Sequence, residues 1–349
     1  MKKNRIIVLS DCLNVKHDEG CIRLSNMLVK KMINRFDNIE VISYNNKNTE
    51  YKNIKINKMF LSKKLFKYIN RFENASLIYI PFSSNTFFSI IRILILSLFT
   101  NAKLYSIFVM RYELNKIAKK LLKFSKTNII CFSNESFSYY KNIIDEKKVL
   151  YLKAGVDTNQ FVPVNSSIKQ QLRNKYGFLP NDKIILHVGH LHSGRNINEF
   201  LKISDNYKVI LVISSITSQD IELKEKLSEK SNIFIFDDYY KNIQELYQIA
   251  DVYLFPVIKK HNCIDVPLSV MEACSCNIKI LTTKYGELKE FNEHEGFHFI
   301  KENDFDNINE LLNNVFNEKK CNTREMVLDY DWNNSIEKLK YIMERTNEK

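Results

Sequence analysis

Glycine is unusually scarce in this sequence. The chain has 349 residues and only 7 glycines, whereas glycine usually makes up about 7% of a protein. This scarcity excludes collagen-like and glycine-rich low-complexity proteins. Each remaining glycine is therefore a candidate for a position where the backbone turns tightly or approaches a ligand closely.

Long hydrophobic runs are also missing. The longest apolar stretch, residues 87–99, is interrupted by Arg92, whereas a membrane-spanning helix needs about 20 predominantly apolar residues. The sequence therefore predicts no membrane-spanning segment, and it predicts a buried helix at this position.

Metal-binding patterns are weak. The seven cysteines are irregularly spaced and no signal-peptide pattern precedes the first strand pattern, so we expect a reducing, cytosolic environment. Cys274 and Cys276 have no second pair that would complete a zinc site. Two D-x-D triplets begin at Asp304 and Asp329, where helical patterns start and aspartate commonly caps a helix. We therefore expect neither a metal nor another cofactor.

Several familiar catalytic motifs are absent as well. No G-x-G-x-x-G follows the first strand pattern, and the sequence contains no P-loop, H-E-x-x-H or G-x-S-x-G motif. Dinucleotide-dependent enzymes, P-loop NTPases, zinc proteases and serine hydrolases of these types therefore lose their sequence support.

Acidic residues are rare in one part of the chain. Residues 51–130 contain 15 basic and 2 acidic residues, and residues 1–165 carry a net charge of +16, against −4 for residues 166–349. Such a concentration of positive charge favours an anionic partner, which can be nucleic acid, a membrane surface or an acidic ligand.

What the chain does contain is a regular alternation of short Ile- and Val-rich runs with helical patterns. Strands without polar alternation are buried on both faces, which is typical of parallel sheets covered by helices. The pattern predicts two doubly wound α/β domains, at residues 1–164 and 165–332, and a final helix at 333–349 that we expect to pack back on the first domain. Ligands of such sheets bind at the carboxyl ends of the strands, and with two domains we expect the site in the cleft between them.

The first candidate segment is the polar loop at residues 10–20, which contains Lys16 and Gly20. A glycine at a helix N-terminus lets a ligand approach the backbone closely. The loop is therefore a candidate ligand-binding segment, and a long turn with a capping cluster is the alternative.

A second segment, residues 188–196, joins the first strand of the second domain to its helix. A helix start favours an anion, and the guanidinium fork matches a diphosphate. We expect Gly189 to allow a tight turn, Arg195 to bind phosphate and His190 to add a donor. A surface salt bridge for Arg195 and a satisfied, half-buried ring for His190 are the alternatives.

A third segment, residues 264–273, opens another helix. Backbone amides near its start can face a sugar or phosphate; the residues concerned are Asp265, Val266, Leu268 and Ser269. Glu272 lies one turn further in on an otherwise apolar helix, where its carboxylate needs a ribose diol or a basic side chain as partner. A fourth turn, at 282–288, adds another glycine, so three strand ends of one domain form a candidate nucleotide-diphosphate pocket.

These segments together resemble the GT-B glycosyltransferases of family 4, also called glycosyl transferases group 1. Residues 152–163 (LKAGVDTNQFVP) resemble the domain-joining signature N-G-V-D-x-x-x-F-x-P, and Tyr247 with residues 250–256 resembles Y-x-x-A-D-V-x-x-x-P. Residues 189–195 resemble G-R-L-x-x-x-K-G, with His190 and Arg195 at the two basic positions.

Residues 265–273 resemble the E-x7-E segment of the same family. Glu272 matches the second glutamate, Ile264 occupies the place of the first, and Asp265 is a candidate to replace it. The family's H-D motif in the first domain has no counterpart in this sequence.

The resemblance implies two Rossmann-like domains that face each other across a cleft, the GT-B arrangement. It also implies a retaining, metal-independent hexosyl transfer from a nucleotide diphosphate sugar to a glycan or lipid-linked acceptor, in cell-surface polysaccharide or glycolipid assembly. Arg195 and Glu272 would be the catalytic-site residues, the first neutralising the diphosphate and the second orienting the ribose. The expected donor-binding residues are Gly189, His190, Arg195, Asp265, Val266, Leu268, Ser269 and Glu272. A non-catalytic relative that only binds ligands and a sugar-nucleotide epimerase remain alternatives.

The basic part of the chain predicts a membrane partner. Residues 61–73 and 116–126 are basic amphipathic helical patterns, with Leu65, Ile69 and Phe72 on one apolar face and Ile117, Leu121 and Phe124 on the other. Such helices favour anionic membrane surfaces, although the apolar faces could instead pack on the sheet. No recognition motif accompanies the charge, so we expect no nucleic acid partner. We expect a cytoplasmic protein, peripheral to the inner face of the plasma membrane.

Overall fold

The computed structural model describes residues 5–15, 19–46, 48–57, 59–82, 84–215 and 217–345. These residues form two compact units. The first unit contains the described residues as far as Ala154, apart from residues 19–20, together with those from Trp332 onward; the second contains residues 19–20 and Gly155–Asp331.

The first unit contains, within its described residues, a seven-stranded parallel sheet. Its strands are β1 (Ile6–Ser10), β2 (Ile39–Tyr44), β3 (Lys52–Ile54), β4 (Ser76–Ile80), β5 (Lys103–Ile107), β6 (Asn128–Cys131) and β7 (Val149–Tyr151). They lie in the order β3-β2-β1-β4-β5-β6-β7. Every residue of β1 and β4 is buried, as expected for central strands of a sheet covered on both faces.

Helices follow most of these strands. They are α1 (Gly20–Ile33), α2 (Lys63–Asn70), α3 (Phe87–Phe99), α4 (Lys116–Phe124) and α5 (Asn134–Lys141). The last four begin after Ser62, Thr86, Asn115 and Ser133, whose side chains accept a backbone N–H from the first turn. These caps satisfy amides that have no partner inside the helix and so fix where each helix begins.

The second unit repeats this design. In the part of the chain that the structure describes, it has a six-stranded parallel sheet. Its strands are β8 (Ile184–Gly189), β9 (Lys208–Ile213), β10 (Ile233–Phe236), β11 (Val252–Phe255), β12 (Lys279–Thr282) and β13 (Phe297–Phe299). They lie in the order β10-β9-β8-β11-β12-β13. The predicted pair of doubly wound parallel sheets is therefore confirmed.

The helices of the second unit are α6 (Ser166–Lys175), α7 (Ile221–Ser228), α8 (Gln244–Ile249), α9 (Leu268–Ser275) and α10 (Ile308–Asn317). The helix expected after residues 188–196 is not one α-helix. The connection after β8 instead contains two short 3₁₀ helices, Ser193–Arg195 and Ile197–Lys202. Asn196 lies between them with a φ of 58°, and this left-handed residue prevents one continuous α-helix.

The segment at residues 155–164 belongs to the second unit, whereas the sequence places the boundary after 164. Thr158 donates hydrogen bonds to Asp331 through its backbone N and its Oγ1. Further along, the Phe161 carbonyl accepts hydrogen bonds from Ser275 and Arg324. These contacts, which a local pattern of Pro and Ser residues does not reveal, attach the segment to α9 and its neighbours.

The final helix, α11 (Trp332–Arg345), belongs to the first unit. Its Trp332 ring lies 6.2 Å from the Phe132 ring, in an edge-to-face arrangement. Ser335 donates to the carbonyl of Lys153. The chain therefore leaves the first unit after β7 and returns to it through α11.

Helix α3 differs from the sequence-based expectation of a buried helix. Its inner face, Ser89, Ile90, Ile93 and Leu96, is buried. Its outer face is not, because Phe88 and Leu98 are 59% and 66% exposed. Among the described residues, no helix has the length and hydropathy to span a membrane.

Candidate functional site

The candidate site lies at the carboxyl edge of the second sheet. The chain runs outward from β8 to β9 and β10 and then returns to the other side of β8 with β11. The connections that follow β8 and β11 therefore leave the sheet in opposite directions, which opens a crevice at this point of the fold. The two strands pair only through Ile185–Val252 and Leu186–Tyr253, so their ladder stops before β8 ends.

Two side chains satisfy the backbone groups where this ladder stops. The Tyr253 hydroxyl lies 3.3 Å from Val188 N and 3.2 Å from Val188 O, accepting from the first and donating to the second. His187 Nδ1 lies 2.9 Å from the Leu254 carbonyl oxygen, and because that oxygen only accepts, Nδ1 carries the proton. The crevice between β8 and β11 therefore has a rigid polar floor.

Arg195 covers the end of β8. A Cβ atom placed on Gly189 would lie only 2.0 Å from Arg195 Nη1, which means that the guanidinium lies directly against the glycine backbone. Any other residue at position 189 would displace it. The sequence predicts a tight turn at Gly189, whereas in the structure the absence of a side chain at this position admits the guanidinium.

The guanidinium of Arg195 is buried but not neutralised. The residue is 4% exposed, and its Nε and Nη1 have no hydrogen-bond partner among the described residues. A buried charge without a counter-ion is unfavourable, since it loses hydration and gains no compensating interaction. An anion bound at the crevice would supply that interaction.

Glu272 lies in α9 and is 3% exposed. The Tyr247 hydroxyl donates to its Oε2 at 2.8 Å. The Tyr247 ring in turn stacks on Tyr253 at 5.9 Å and meets Phe161 edge-on at 5.5 Å. This aromatic row links Phe161 and Tyr247, which the sequence singles out in two separate motifs, to the carboxylate of Glu272.

Arg195 and Glu272 are close to the same residue, Tyr253. Burial raises the pKa of the Tyr253 hydroxyl, the nearby Arg195 charge lowers it and the Glu272 charge raises it further. The Ser269 side chain, at the start of α9, also lowers the pKa of this hydroxyl. Tyr253 therefore connects the Arg195 loop with the beginning of α9.

The N-terminus of α9 follows β11 at the same edge of the sheet. Val266 and Leu268 are buried, and Pro267 precedes the helix without a side-chain cap. Uncapped amides and the positive end of the helix dipole favour an anion at this point. Gly155 lies behind the turn, because a Cβ there would come within 3.1 Å of a Val266 methyl group.

The predicted segments 264–273 and 282–288 meet at Asp265. Glu287 N donates to the Asp265 carbonyl oxygen at 2.8 Å. Gly286 has a φ of +51°, and a Cβ there would lie 2.1 Å from the same oxygen. The Asp265 side chain itself is half-buried, and its suggested replacement of the missing glutamate stays a prediction.

Three predicted residues remain: His190, Gly20 and Lys16. His190 is half-buried, and its ring centroid lies 6.2 Å from that of His192. Gly20 begins α1. Lys16 lies outside the described residues.

Sequence reasoning missed three residues of the crevice: His187, Tyr253 and Cys263. The Cys263 thiol lies beside the Arg195 guanidinium, and burial raises its pKa while Arg195 lowers it. Tyr285 holds the Cys263 backbone, donating to its carbonyl at 2.6 Å and accepting from its N–H at 3.1 Å. The available signal was a polar ring inside the apolar run of β8, at His187.

The first unit contains a partly buried polar cluster that the sequence also did not reveal. It lies at the carboxyl edge of the first sheet and consists of Asp11, Tyr44, Tyr79 and Arg92. Phe82 N donates to Asp11 at 2.7 Å, and the Tyr44 and Tyr79 hydroxyls lie 3.4 Å apart. Burial raises the pKa of Asp11, although the hydrogen bonds from Phe82 and Tyr44 oppose this. Arg92, which interrupts the apolar run of α3, therefore has a structural reason.

Comparison with known proteins places this geometry in a family context. Residues 168–330 match the family model described as Glycosyl transferases group 1. No curated protein sequence is significantly similar to the chain.

Solved structures resemble the whole chain. A glycosyltransferase from Rickettsia africae is 17% identical, with a TM-score of 0.79 and 98% of each chain covered. Anabaena Alr3699/HepE in complex with UDP-glucose is 14% identical, with a TM-score of 0.74, covering 97% of this chain and 99% of that one. Sucrose-phosphate synthase from Thermosynechococcus elongatus is also 14% identical, with a TM-score of 0.73 and coverage of 98% and 99%. The chain therefore has the two-domain α/β fold of GT-B glycosyltransferases.

Two glycines provide a matched test of the contact between Asp265 and the turn at residues 282–288. Gly177 and Gly286 both have positive φ, but a Cβ at Gly177 would meet nothing within 4 Å. We expect Gly177→Ala to cost about 1 kcal/mol of unfolding free energy through backbone strain alone, and Gly286→Ala to cost roughly 3 kcal/mol or more. Urea denaturation followed by circular dichroism measures both, and equal losses would contradict the contact with Asp265.

His187 makes stability depend on pH. Burial, and next the Arg195 charge, lower its pKa to about 3, so below about pH 6.5 the unfolded chain binds a proton that the folded chain does not. This contribution is complete above about pH 6.5 and is lost as the pH falls towards 3. We expect the unfolding free energy of the wild type relative to His187→Gln to fall by about 2 kcal/mol between pH 7.5 and pH 5. A pH-independent difference in denaturation midpoints would show that His187 is not held neutral.

Proposed function

We propose that this protein is a glycosyltransferase that transfers a hexosyl group from a nucleotide diphosphate sugar to a glycan or lipid-linked acceptor. The observation that carries the proposal is the guanidinium of Arg195 at the carboxyl edge of the second sheet, which is buried and has no counter-ion among the residues that the structure describes. The group 1 family match over residues 168–330 supports it, as does the presence of UDP or UDP-glucose in complexes of Anabaena Alr3699/HepE.

In this proposal the second unit stabilises the leaving group. The bond between the sugar anomeric carbon and the diphosphate oxygen breaks, and its electron pair stays on the diphosphate. The acceptor hydroxyl oxygen bonds to the anomeric carbon, and the hydroxyl proton leaves with the diphosphate. Arg195 and the amides at the N-terminus of α9 neutralise the charge that develops there, and preorganised donors in a water-poor site do so effectively. The resemblance to group 1 enzymes adds retention of configuration and independence of metal to the proposal.

Glu272 has a positioning role in the same proposal. Tyr247 holds its Oε2, and a carboxylate has further lone pairs that accept hydrogen bonds. Two hydroxyls of a ribose are suitable donors to those lone pairs. Glu272 would thus orient the nucleoside while Arg195 binds the diphosphate, which places the sugar for transfer.

Two buried arginines of the second unit give a decisive comparison. Arg173 is 5% exposed, but its guanidinium donates to the carbonyls of Ile249 and Pro180 and pairs with Asp251 at 2.8 Å. We expect Arg195→Ala to weaken binding of UDP, or of whichever of UDP, GDP and ADP the wild type binds, by roughly tenfold or more. Arg173→Ala should leave that affinity nearly unchanged.

Thermal stability should distinguish the two variants in the opposite order to nucleotide affinity. Removing Arg173 breaks a satisfied network and lowers the melting temperature, whereas removing Arg195 takes away an uncompensated charge and leaves the unliganded protein at least as stable. Calorimetric titration and thermal unfolding measure the two effects. A wild type that binds no nucleotide, or an Arg195→Ala variant that binds as well as the wild type, would refute the proposed donor site.

We extend the proposal to a membrane-bound acceptor, because the first unit has an outward apolar face among lysines. In α4, Ala118 and Leu122 face the core, while Ile117 and Phe124 are 64% and 68% exposed. Of the predicted stripe of α4, Ile117 and Phe124 are therefore exposed, whereas Leu121 packs against the core. In α2 the alternative of packing on the sheet holds, because Leu65 and Ile69 are buried and Phe72 packs against the core.

Neighbouring helices continue this face. α4 packs beside α3, and the Phe66 ring of α2 stacks on Phe99 of α3 at 5.3 Å. Phe99 and Leu98 are themselves more than half exposed. Among the described residues, the lysines of α2 and α4 form no ion pair with an acidic side chain; they are Lys63, Lys64, Lys67, Lys116, Lys119, Lys120 and Lys123. Exposed apolar side chains among unpaired lysines suit the surface of an anionic bilayer.

Vesicle binding tests this extension. We expect the protein to sediment with vesicles that contain phosphatidylglycerol, and the double variant Ile117→Ser/Phe124→Ser to bind roughly tenfold less, because it loses apolar area that the lipid would cover. Ile221→Ser is the control, since Ile221 is 70% exposed on α7 of the second unit. Equal binding to pure phosphatidylcholine, or equal loss in the control, would contradict a specific docking face.

A further inference from the structure

His187 is a histidine in an unusual place, in the middle of a central strand of the second sheet. It is 3% exposed. Its ring stacks on those of Tyr253 and Phe255 and lies 5.4 Å from Phe200. A hydrophobic residue would fill this space without the desolvation that an imidazole requires, so the ring calls for an explanation beyond packing.

The hydrogen bonding of the ring determines its chemistry. Nδ1 donates to the Leu254 carbonyl oxygen at 2.9 Å. Burial and the Arg195 charge lower the pKa of the ring to about 3, so the ring is neutral and its Nε2 bears a lone pair. Nε2 is fully buried and has no hydrogen-bond partner among the described residues.

The neighbouring Arg195 side chain has hydrogen-bond donors that lack acceptors. Arg195 presents Nε and Nη1, which are donors only, and both lack partners in the described part of the chain. The two side chains come together beside Gly189. A Cβ atom placed on this glycine would lie 2.0 Å from Arg195 Nη1 and 3.2 Å from His187 Nε2. An unsatisfied acceptor and unsatisfied donors thus face one small region, yet they do not bond to each other.

We propose that His187 and Arg195 together bind one O–H group, and that His187 is thereby a specificity-determining residue of the donor site. The inference rests on the proposed function. A hydroxyl oxygen accepts from the guanidinium through a lone pair and donates its proton to Nε2, so it satisfies both deficiencies at once. A fully ionised phosphate oxygen has no proton to donate, and its lone pairs would meet the lone pair of Nε2.

Two sources can supply this O–H group. One is a hydroxyl of the sugar carried by the donor, in which case the pair recognises the intact nucleotide sugar in preference to the free nucleoside diphosphate. The other is an ordered water that holds Arg195 in place for any diphosphate ligand. In both cases Arg195 keeps other N–H groups for the diphosphate, because the guanidinium has five.

Two variants separate the acceptor nitrogen from the rest of the ring. His187→Phe and His187→Gln both lose the Nδ1–H bond to Leu254. Only glutamine regains an oxygen that accepts from the position of Nε2. Comparing them therefore isolates the lone pair from the loss of the structural hydrogen bond.

The affinities of UDP and UDP-glucose, measured by calorimetric titration, provide the readout. We expect His187→Phe to weaken ligand binding by roughly tenfold and His187→Gln to bind within a few-fold of the wild type. A loss confined to UDP-glucose identifies the sugar hydroxyl, and an equal loss for UDP and UDP-glucose identifies the water. Unchanged affinities in His187→Phe, or equal losses in the phenylalanine and glutamine variants, would overturn the inference.

Nitrogen NMR of the wild type gives a test that does not depend on either variant folding. The chain has seven histidines, so the His187 signal must be assigned. It is the signal that does not titrate between pH 5 and pH 8, and it is missing from the spectrum of a folded His187 variant. We expect this ring to be protonated only at Nδ1, with an Nε2 shift typical of an accepted hydrogen bond in the ligand complex. An Nε2 shift of a non-bonded lone pair in that complex would overturn the inference. If the wild type binds UDP but neither the affinity difference between the variants nor the Nε2 shift is observed, the role of His187 is refuted and the proposed donor site is not. A wild type that binds no nucleotide refutes both the donor site and the role of His187.

Discussion

A buried positive charge without a counter-ion in the described part of the chain is the constraint on which the candidate site depends. Arg195 is 4% exposed and keeps donors without partners in the described residues. The second unit shows what a satisfied buried arginine looks like, because Arg173 has two carbonyls and a carboxylate as partners. The two buried arginines therefore differ in whether the described residues supply partners for the guanidinium. One guanidinium stabilises the fold, and the other has interactions left for a ligand.

The geometry around Arg195 follows from the topology of a doubly wound sheet. The strand order reverses beside β8, so the ladder between β8 and β11 ends early and a crevice opens. Tyr253 and His187 satisfy the backbone at that point, and Gly189 leaves space for the guanidinium. The turns around Asp265 and Gly286 then meet through backbone hydrogen bonding. Each element is ordinary, and the candidate site arises because they converge on one edge.

The two units differ in what they present to solvent. The chain carries +16 within residues 1–165 and −4 beyond them, and the exposed Ile117 and Phe124 belong to the basic unit. The second unit instead concentrates its buried polar groups at one sheet edge. A division in which one unit approaches an anionic surface and the other holds a phosphorylated ligand is consistent with both distributions, since each relies on a different form of positive charge: mobile lysines in one, a fixed arginine in the other.

Local patterns in the chain were enough to predict two parallel sheets, the turn that carries Gly189 and Arg195, and the helix that carries Glu272. They suffice because burial on both faces selects β-branched runs, and because turns at strand ends need particular residues. They did not predict the break at Asn196, the outward face of α3, or the roles of His187, Tyr253 and the cluster around Asp11. Those depend on which side chains meet across strands distant in sequence, and on how far each meeting excludes water. Periodicity carries no record of either quantity, so they emerge only when the chain is folded.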